Sequence, residues 1–243
     1  MTMERQGHVV RDLDSRRHKA LKIERLLGLR PAPRKRRLLE IGCGSGGISH
    51  YFGTHDTLDL AVDAVDVTDS RGISEGYRFH QVKGTQLPFD DQAFDIVITN
   101  HVIEHVGDLP QQLDHLAEVH RVLRDDGVCY LAVPNRWMLV EPHYRLAFLS
   151  WLPHRLRTPW LKLWKRGSFY DCEPFSLRAL ERLLAEAGFH FENVCVEAWR
   201  ETLRIERPGS TMSRCIDALP TTLLNMTRPA IPTLIYVLRK VAS

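Results

Sequence analysis

Residues 38–49 read Leu-Leu-Glu-Ile-Gly-Cys-Gly-Ser-Gly-Gly-Ile-Ser. An apolar run carries one carboxylate, Glu40, and then meets four glycines, Gly42, Gly44, Gly46 and Gly47. Glycine accepts positive φ and has no Cβ, so a turn built from it lets another molecule touch bare backbone. The stretch therefore reads as a buried strand, a ligand-facing loop and the start of a helix. A tight turn asks only for small residues, and four glycines just past a carboxylate exceed that need. Gly42, Gly44 and Gly47 also fit the dinucleotide pattern G-x-G-x-x-G, with Asp66 near the offset of a ribose-binding acid. On this segment alone a nicotinamide enzyme stays open.

Outward from the loop, strands and helices alternate. Toward the N-terminus, Leu13, Leu21, Ile23, Leu26, Leu27 and Leu29 lie among charges, which predicts an amphipathic cap helix over about 10–30 that Arg30-Pro-Ala-Pro ends. Strands are predicted at 37–41, 58–65 (closing on Asp66), 78–82, 94–99 and 127–133. Helices are predicted at 47–52 and 109–123, and from the N-cap Ser176 to Gly188 with Leu177, Leu180, Leu183, Leu184 and Ala187 on its apolar face. Residues 191–199 and 233–238 read as late strands, with 212–232 as a crossover helix between them. Such alternation implies a mostly parallel sheet with helices on both faces. No repeat or low-complexity tract divides the chain, and 1–243 is read as one domain.

Composition narrows the class. The 243 residues are 44% apolar and 26% charged, ordinary for a soluble globular domain. No stretch approaches the ~18–20 apolar residues of a membrane span. The first residues are polar and lack the apolar core of a secretory signal. Five cysteines (43, 129, 172, 195, 215) form no C-x-x-C pair and no zinc spacing, which fits a reducing cytoplasm and no metal site. Cys43 suits its loop by size. Net charge of +3 decides little, and the run Arg34–Arg37 before the first strand reads as a solvated cluster.

A second motif separates the two cofactor readings. Residues 84–106 contain Leu-Pro-Phe (87–89), Phe-Asp-Ile-Val (94–97) and Glu-His (104–105). With the E-x-G-x-G-x-G loop and the acid after strand two, this series resembles the class I S-adenosylmethionine-dependent methyltransferases, in particular their small-molecule branch. The resemblance covers about residues 36–135. It implies a three-layer Rossmann-like α/β sandwich with a mostly parallel seven-stranded sheet, the last strand antiparallel. It further implies that Glu40 and the backbone of Gly42, Cys43 and Gly44 surround the methionine end of S-adenosylmethionine. Asp66 would accept from both ribose hydroxyls, with Val67 beside it, and Asn100 and His101 would line the pocket. His105 is a further cofactor candidate, and Glu104 and His105 would orient their loop and cap the next helix. Asp63 is the rival acid, but it falls inside its strand. The family often places an acid four residues before the Leu of Leu-Pro-Phe to bind the adenine amino group. Lys83 stands there, so adenine recognition passes to Gly84 and Thr85, or to the side chain of Thr85 or Gln86.

About forty residues separate strand five from Ser176, long for a plain connection. Between Arg136 and Gly167 lie seven Arg/Lys (136, 145, 155, 157, 162, 165, 166) against one acid, Glu141, and four of the five tryptophans (137, 151, 160, 164). Residues 144–152 and 159–164 read as short amphipathic helices. The region, about 136–174, is expected either to pack as a helical cap on the sheet edge or to form a helical lid that holds an apolar acceptor and favours negative charge. Tryptophans among basic residues also suit contact with anionic headgroups at a membrane surface. A hydroxyl acceptor gains from a base near neutral pKa, and His143, oriented by Glu141, is the candidate, with Tyr144 or His101 as alternatives. No metal is required. The reading is methyl transfer from S-adenosylmethionine, with S-adenosylhomocysteine as product, to a small or lipid-like acceptor, at oxygen by preference. The alternatives are transfer to nitrogen or carbon, or a non-catalytic cofactor-binding protein. A nucleic-acid acceptor is disfavoured, since no RNA-binding module and no Asn/Asp-Pro-Pro-Tyr/Phe motif follows strand four. The moderately apolar 212–232 leaves homodimerisation open.

Overall fold

A computed structural model describes residues 12–141, 144–170 and 172–241. Helix α1 (Leu13–Leu26) starts at Asp12, whose carboxylate accepts from the Asp14 N–H at 3.1 Å, and its chain reverses at Gly28, φ +59°. Then come β1 (Arg36–Ile41), α2 (Gly47–Gly53), β2 (Leu60–Asp66), β3 (Tyr77–Gln81), β4 (Phe94–Asn100), α3 (Leu109–Val122) and β5 (Leu123–Pro134). A two-stranded ribbon, β6 (Val140–Glu141) and β7 (Leu146–Ala147), and α4 (His154–Leu163) precede α5 (Leu177–Glu186) and β8 (Phe189–Asn193). The chain closes through α6 (Cys195–Glu206), α7 (Thr211–Ala218), α8 (Thr221–Asn225) and β9 (Thr233–Lys240).

Seven strands form one sheet in the order β3-β2-β1-β4-β5-β9-β8. Every neighbouring pair is parallel except those of β9, which runs antiparallel to β5 and β8. This is the expected mostly parallel sheet with its last strand reversed. A parallel sheet covered on both faces wants continuous apolar strands, and β4 is buried from Phe94 to Thr99. Strand order reverses between β1 and β4, so their carboxyl ends flank the crevice where open α/β sheets take ligands. Helix α1 packs on both α2 and α6, above that crevice.

Several expected elements change. The strand predicted at 191–199 stops at Asn193, whose side-chain oxygen accepts from the Cys195 N–H at 3.2 Å and turns the chain into α6. Cys195, Val196 and Ala198 are buried on one side of that helix. The crossover helix predicted over 212–232 is broken into α7, α8 and a 3-10 turn, with prolines at 220 and 229 at the breaks. The run Arg34–Arg37 is solvated as expected, with the side chains of Arg34, Lys35 and Arg37 exposed, and it is also paired. Arg34 pairs with Asp95, and Arg37 pairs with Asp63 at 3.1 Å, its guanidinium lying 4.5 Å from the Phe94 ring centroid.

Candidate functional site

The glycine loop hangs from the end of β2. The Gly42 and Cys43 N–H groups donate to the Val65 carbonyl at 2.8 and 3.3 Å, and the Gly44 N–H donates to Asp66 Oδ2 at 2.9 Å. Two glycines are demanded by space as well as by backbone angle. A Cβ on Gly42 (φ +73°) would stand 2.4 Å from a Val102 methyl, and one on Gly46 (φ +79°) 2.0 Å from the Tyr77 hydroxyl. Cys43 is buried, and burial pushes its thiol pKa up, so it fills space there.

Glu40 sits near the end of β1, buried beneath this loop, and the Ser49 hydroxyl donates to it. Burial raises its pKa to about 7, opposed by the Ser49 bond and the charge of Arg16. Arg16 lies across the loop on α1, its stem against Gly47. One turn on, Lys19 feels both Glu40 and Glu104, while burial and the neighbouring cations Arg16 and Lys22 lower its pKa to about 8. Cations at 16, 19 and 22 share one side of α1, a spacing visible in the sequence. What they face was not visible, because Glu40 and Glu104 lie far along the chain.

Asp66 ends β2 with one carboxylate oxygen on the Gly44 N–H and the other 3.2 Å from the Thr68 N–H. Its own carbonyl accepts from the Val82 N–H at 3.0 Å, which draws the end of β3 alongside. Val67 next to it is exposed, and Gly84 (φ +70°) has no atom within 4 Å of a would-be Cβ, so this edge of the crevice is open. Thr85 is half-buried beside Gly84 and Lys83 is exposed. The Leu-Pro-Phe turn has a mechanical reason: Glu118 of α3 accepts from the Leu87 N–H at 2.8 Å, and Arg121 donates to the Leu87 and Phe89 carbonyls. Asp63 is committed elsewhere. Against the upward push of burial, its bonds to His80 and Arg37 hold its carboxyl below the ordinary range.

At the far wall, Asn100 ends β4 and His101 follows with φ +59°, its N–H donating to the Ala132 carbonyl at 2.8 Å. His101 Nδ1 lies 3.1 Å from Glu104, which is buried. His105 closes a 3-10 turn, half-buried. Glu104 and His105 do not cap the next helix. That role falls to Asp108 and Gln111, which exchange side-chain bonds with each other's backbone. Behind this wall, burial lowers the pKa of His115 to about 4, and its Nε2 lies 3.1 Å from the Thr99 hydroxyl.

The expected catalytic pair is placed in part. Glu141 is fully buried in the ribbon, and its carboxylate accepts from the Tyr144 N–H at 2.7 Å. His143 lies outside the described residues. The segment carrying them leaves and rejoins the sheet at one point, where Asn135 bridges Phe175 and the Arg136 N–H donates to the Phe175 carbonyl at 2.8 Å. The Glu173 N–H donates to the Glu104 carbonyl at 3.0 Å, so the insert stands directly beside the β4 wall. No group of residues able to hold a metal ion occurs among the described residues.

A glycine cradle over a buried carboxylate, with a second carboxylate at the end of the neighbouring strand, defines the class I S-adenosylmethionine-dependent methyltransferase domain. Comparison places the chain within it: residues 11–194 match a family described as a methyltransferase domain, and the chain belongs to that family. A malonyl-[acyl-carrier protein] O-methyltransferase of Serratia marcescens is 37% identical over 109 residues, 43% of this chain and 41% of that protein. A fatty-acid O-methyltransferase of Mycolicibacterium smegmatis is 36% identical over 38% of this chain and 35% of its own length. The match thus spans about two-fifths of each relative. Among solved structures, the Burkholderia thailandensis 1,6-didemethyltoxoflavin-N1-methyltransferase, with S-adenosylhomocysteine bound, aligns with a TM-score of 0.55 at 19% identity, over 94% of this chain and 80% of that one. The [4+2]-cyclase SpnF aligns equally well, TM-score 0.55 at 17% identity, over 98% and 86%. At such identities the likeness shows the fold.

Proposed function

We propose that this chain transfers a methyl group from S-adenosylmethionine to a lipid-like acceptor, at oxygen. The observation that carries the reading is Asp66, pinned by two backbone N–H groups at the rim of the glycine loop, with each carboxylate oxygen keeping capacity for a further donor. Bound there, the cofactor supplies a methyl already activated on a sulfonium. The protein supplies grip and alignment, and alignment alone is worth on the order of 7–11 kcal/mol in well-oriented cases. Glu40 accepts from the amino group of the methionine end, and Arg16 and Lys19 lie where its carboxylate finds positive charge. Asp66 accepts from the ribose hydroxyls. Val67, Gly84 and Thr85 border the adenine, and Asn100, His101 and His105 border the wall toward the acceptor. For a hydroxyl acceptor His143 is the base that takes its proton, whereas a carboxylate acceptor arrives without one; Glu141, two residues before it, fixes the ribbon.

The acceptor class is supported by a cavity of about 420 Å³ between α1, α6 and the entry to β9. Its walls are mostly apolar, including Trp199, Ala230, Ile231 and Ile235, and among the described residues Lys22 is its one charged lining group. Burial lowers the Lys22 pKa, and its ammonium donates only to the Thr202 hydroxyl, at 3.2 Å, among the described residues. Such a site suits an aliphatic chain carrying one negative charge. The names of the two relatives, acting on an acyl carrier and on fatty acids, point the same way.

Calorimetry with S-adenosylhomocysteine tests the cofactor half. Asp66→Ala removes two charged hydrogen bonds worth about 1.5–3 kcal/mol each, so affinity falls by roughly two to four orders of magnitude. Unchanged affinity would reject the ribose assignment, and absence of binding to the unaltered protein would reject the reading.

A further inference from the structure

We propose that the outer face of the insert, residues 135–175, is a docking surface for an anionic lipid bilayer. Helix α4 is built inside out. Its buried side holds Arg157 and Leu161, whereas Leu156, Trp160, Leu163 and Trp164, at i, i+4, i+7 and i+8, form an apolar stripe that faces solvent. Leu163 is 71% exposed and Trp164 at its C-cap 55%. A second aromatic group stands on the ribbon side of the insert: Phe148 and Trp137 meet Trp151 edge-on, with centroids 5.0 and 5.8 Å apart, and all three are exposed. Apolar residues scattered singly over a surface need no explanation, but a concentration of this kind in one small subdomain does.

Charge selects the occupant. Arg145, Arg155, Lys162, Lys165 and Arg166 are exposed and make no ion pair among the described residues. Two basic residues of the insert are withdrawn from solvent: Arg136 is half-buried, its guanidinium 5.6 Å from the Trp137 ring centroid, and Arg157 is buried, reaching Glu173 at 3.2 Å and the Leu152 carbonyl at 3.0 Å. Indoles prefer the headgroup level of a bilayer, and basic residues near an anionic leaflet each add attraction. A second copy of the chain fits poorly. A two-fold contact sets the same patch against itself and would oppose five cations to five cations. Nucleic acid would satisfy the cations and leave Leu156 and Leu163 in water. No helix of the described residues is long and apolar enough to cross a membrane, so the contact is interfacial. The insert adjoins the β4 wall through the Glu173 N–H, which donates to the Glu104 carbonyl.

The test is co-sedimentation of the full chain with vesicles of phosphatidylcholine alone or with 30 mol % phosphatidylserine, at low and high salt. Two variants accompany it, Leu156→Ser/Trp160→Ser/Leu163→Ser/Trp164→Ser and Lys162→Glu/Lys165→Glu/Arg166→Glu. The unaltered protein should partition onto the anionic vesicles and be released by salt, and each variant should lose at least tenfold in partitioning. S-adenosylhomocysteine affinity, measured in parallel, should stay within twofold, which separates this surface from the cofactor reading and reports folding of the variants. Because the charge-reversal residues are exposed, that variant still tests the surface if the serine variant misfolds. Failure of the unaltered protein to partition would overturn the proposal. So would partitioning unchanged in the charge variant, or a dimer in light scattering that the serine variant converts to monomer.

Discussion

The glycine loop and the insert both concentrate unusual residues, and the molecule treats them oppositely. In the loop, oddity is buried: Glu40 lies under backbone and accepts from Ser49, and Gly42 and Gly46 are pressed by Val102 and Tyr77. In the insert, oddity is displayed. Its own small core of Tyr144, Leu146, Leu149, Leu161, Tyr170 and Cys172 is separate from the main core, and its largest apolar side chains lie outside it. A buried anomaly is held in one geometry by the packing around it, which suits a site that must grip a small molecule. An exposed anomaly has no packing reason, and its reason lies in what it touches outside the chain.

Glycine substitutions strain that contrast most. Gly46→Ala places a methyl at positive φ and 2.0 Å from the Tyr77 hydroxyl, with the Ile73 carbonyl at 2.6 Å. Backbone strain and overpacking together should cost roughly 2–5 kcal/mol in denaturant unfolding and weaken S-adenosylhomocysteine binding. Gly84→Ala has a similar φ but open space around it, and should cost only about 1 kcal/mol. Equal losses at the two sites would mean that Tyr77 does not press on the loop.

Next in size is a pH effect behind the site. His115 is buried neutral, with its pKa lowered from 6.5 to about 4. Between those values the unfolded chain binds the proton that the folded chain refuses, so stability is highest above pH 6.5 and declines as pH falls toward 4. The shift corresponds to up to ~3 kcal/mol. Unfolding followed across this window should show the decline, and His115→Gln should flatten it.

Much of the buried half was legible in advance. Continuous apolar runs gave the parallel strands, and the carboxylate-glycine series gave the crevice, because local sequence dictates both a buried strand and a turn without Cβ atoms. Two things escaped. Phe191–Trp199 has the apolar density of a strand, and the turn at Asn193 is decided by one side-chain bond to the Cys195 N–H. Arg16, Lys19 and Lys22 were plain as a spacing, yet their meaning depends on Glu40 and Glu104, which only the fold brings near. In the insert, the tryptophans and basic residues could be counted, but a count has no direction, and only coordinates tell which side of α4 faces water.

A smaller effect probes whether the insert is an independent unit. Arg157→Met removes the donors to the Leu152 and Ser150 carbonyls and the link to Glu173. A loss on the order of 1–3 kcal/mol is expected for stranding such buried acceptors. It should fall on the insert's own opening, read as faster amide exchange near Leu161, while strands β1 and β4 keep their protection. Uniform loss of protection across the sheet would show that the two cores unfold as one.

The smallest expected change is the most pointed. Leu161 and Leu163 are two residues apart on α4, the first fully buried and the second 71% exposed. Leu163→Ser in water should alter stability by no more than about 0.5 kcal/mol, as for an ordinary surface site. A near-silent substitution of a large apolar residue means the folded chain gains nothing from it, so its presence has to be explained by a contact made outside the chain. A clear destabilisation, seen as a shifted unfolding midpoint, would instead assign Leu163 to the insert's own packing and remove the apolar stripe from the docking surface.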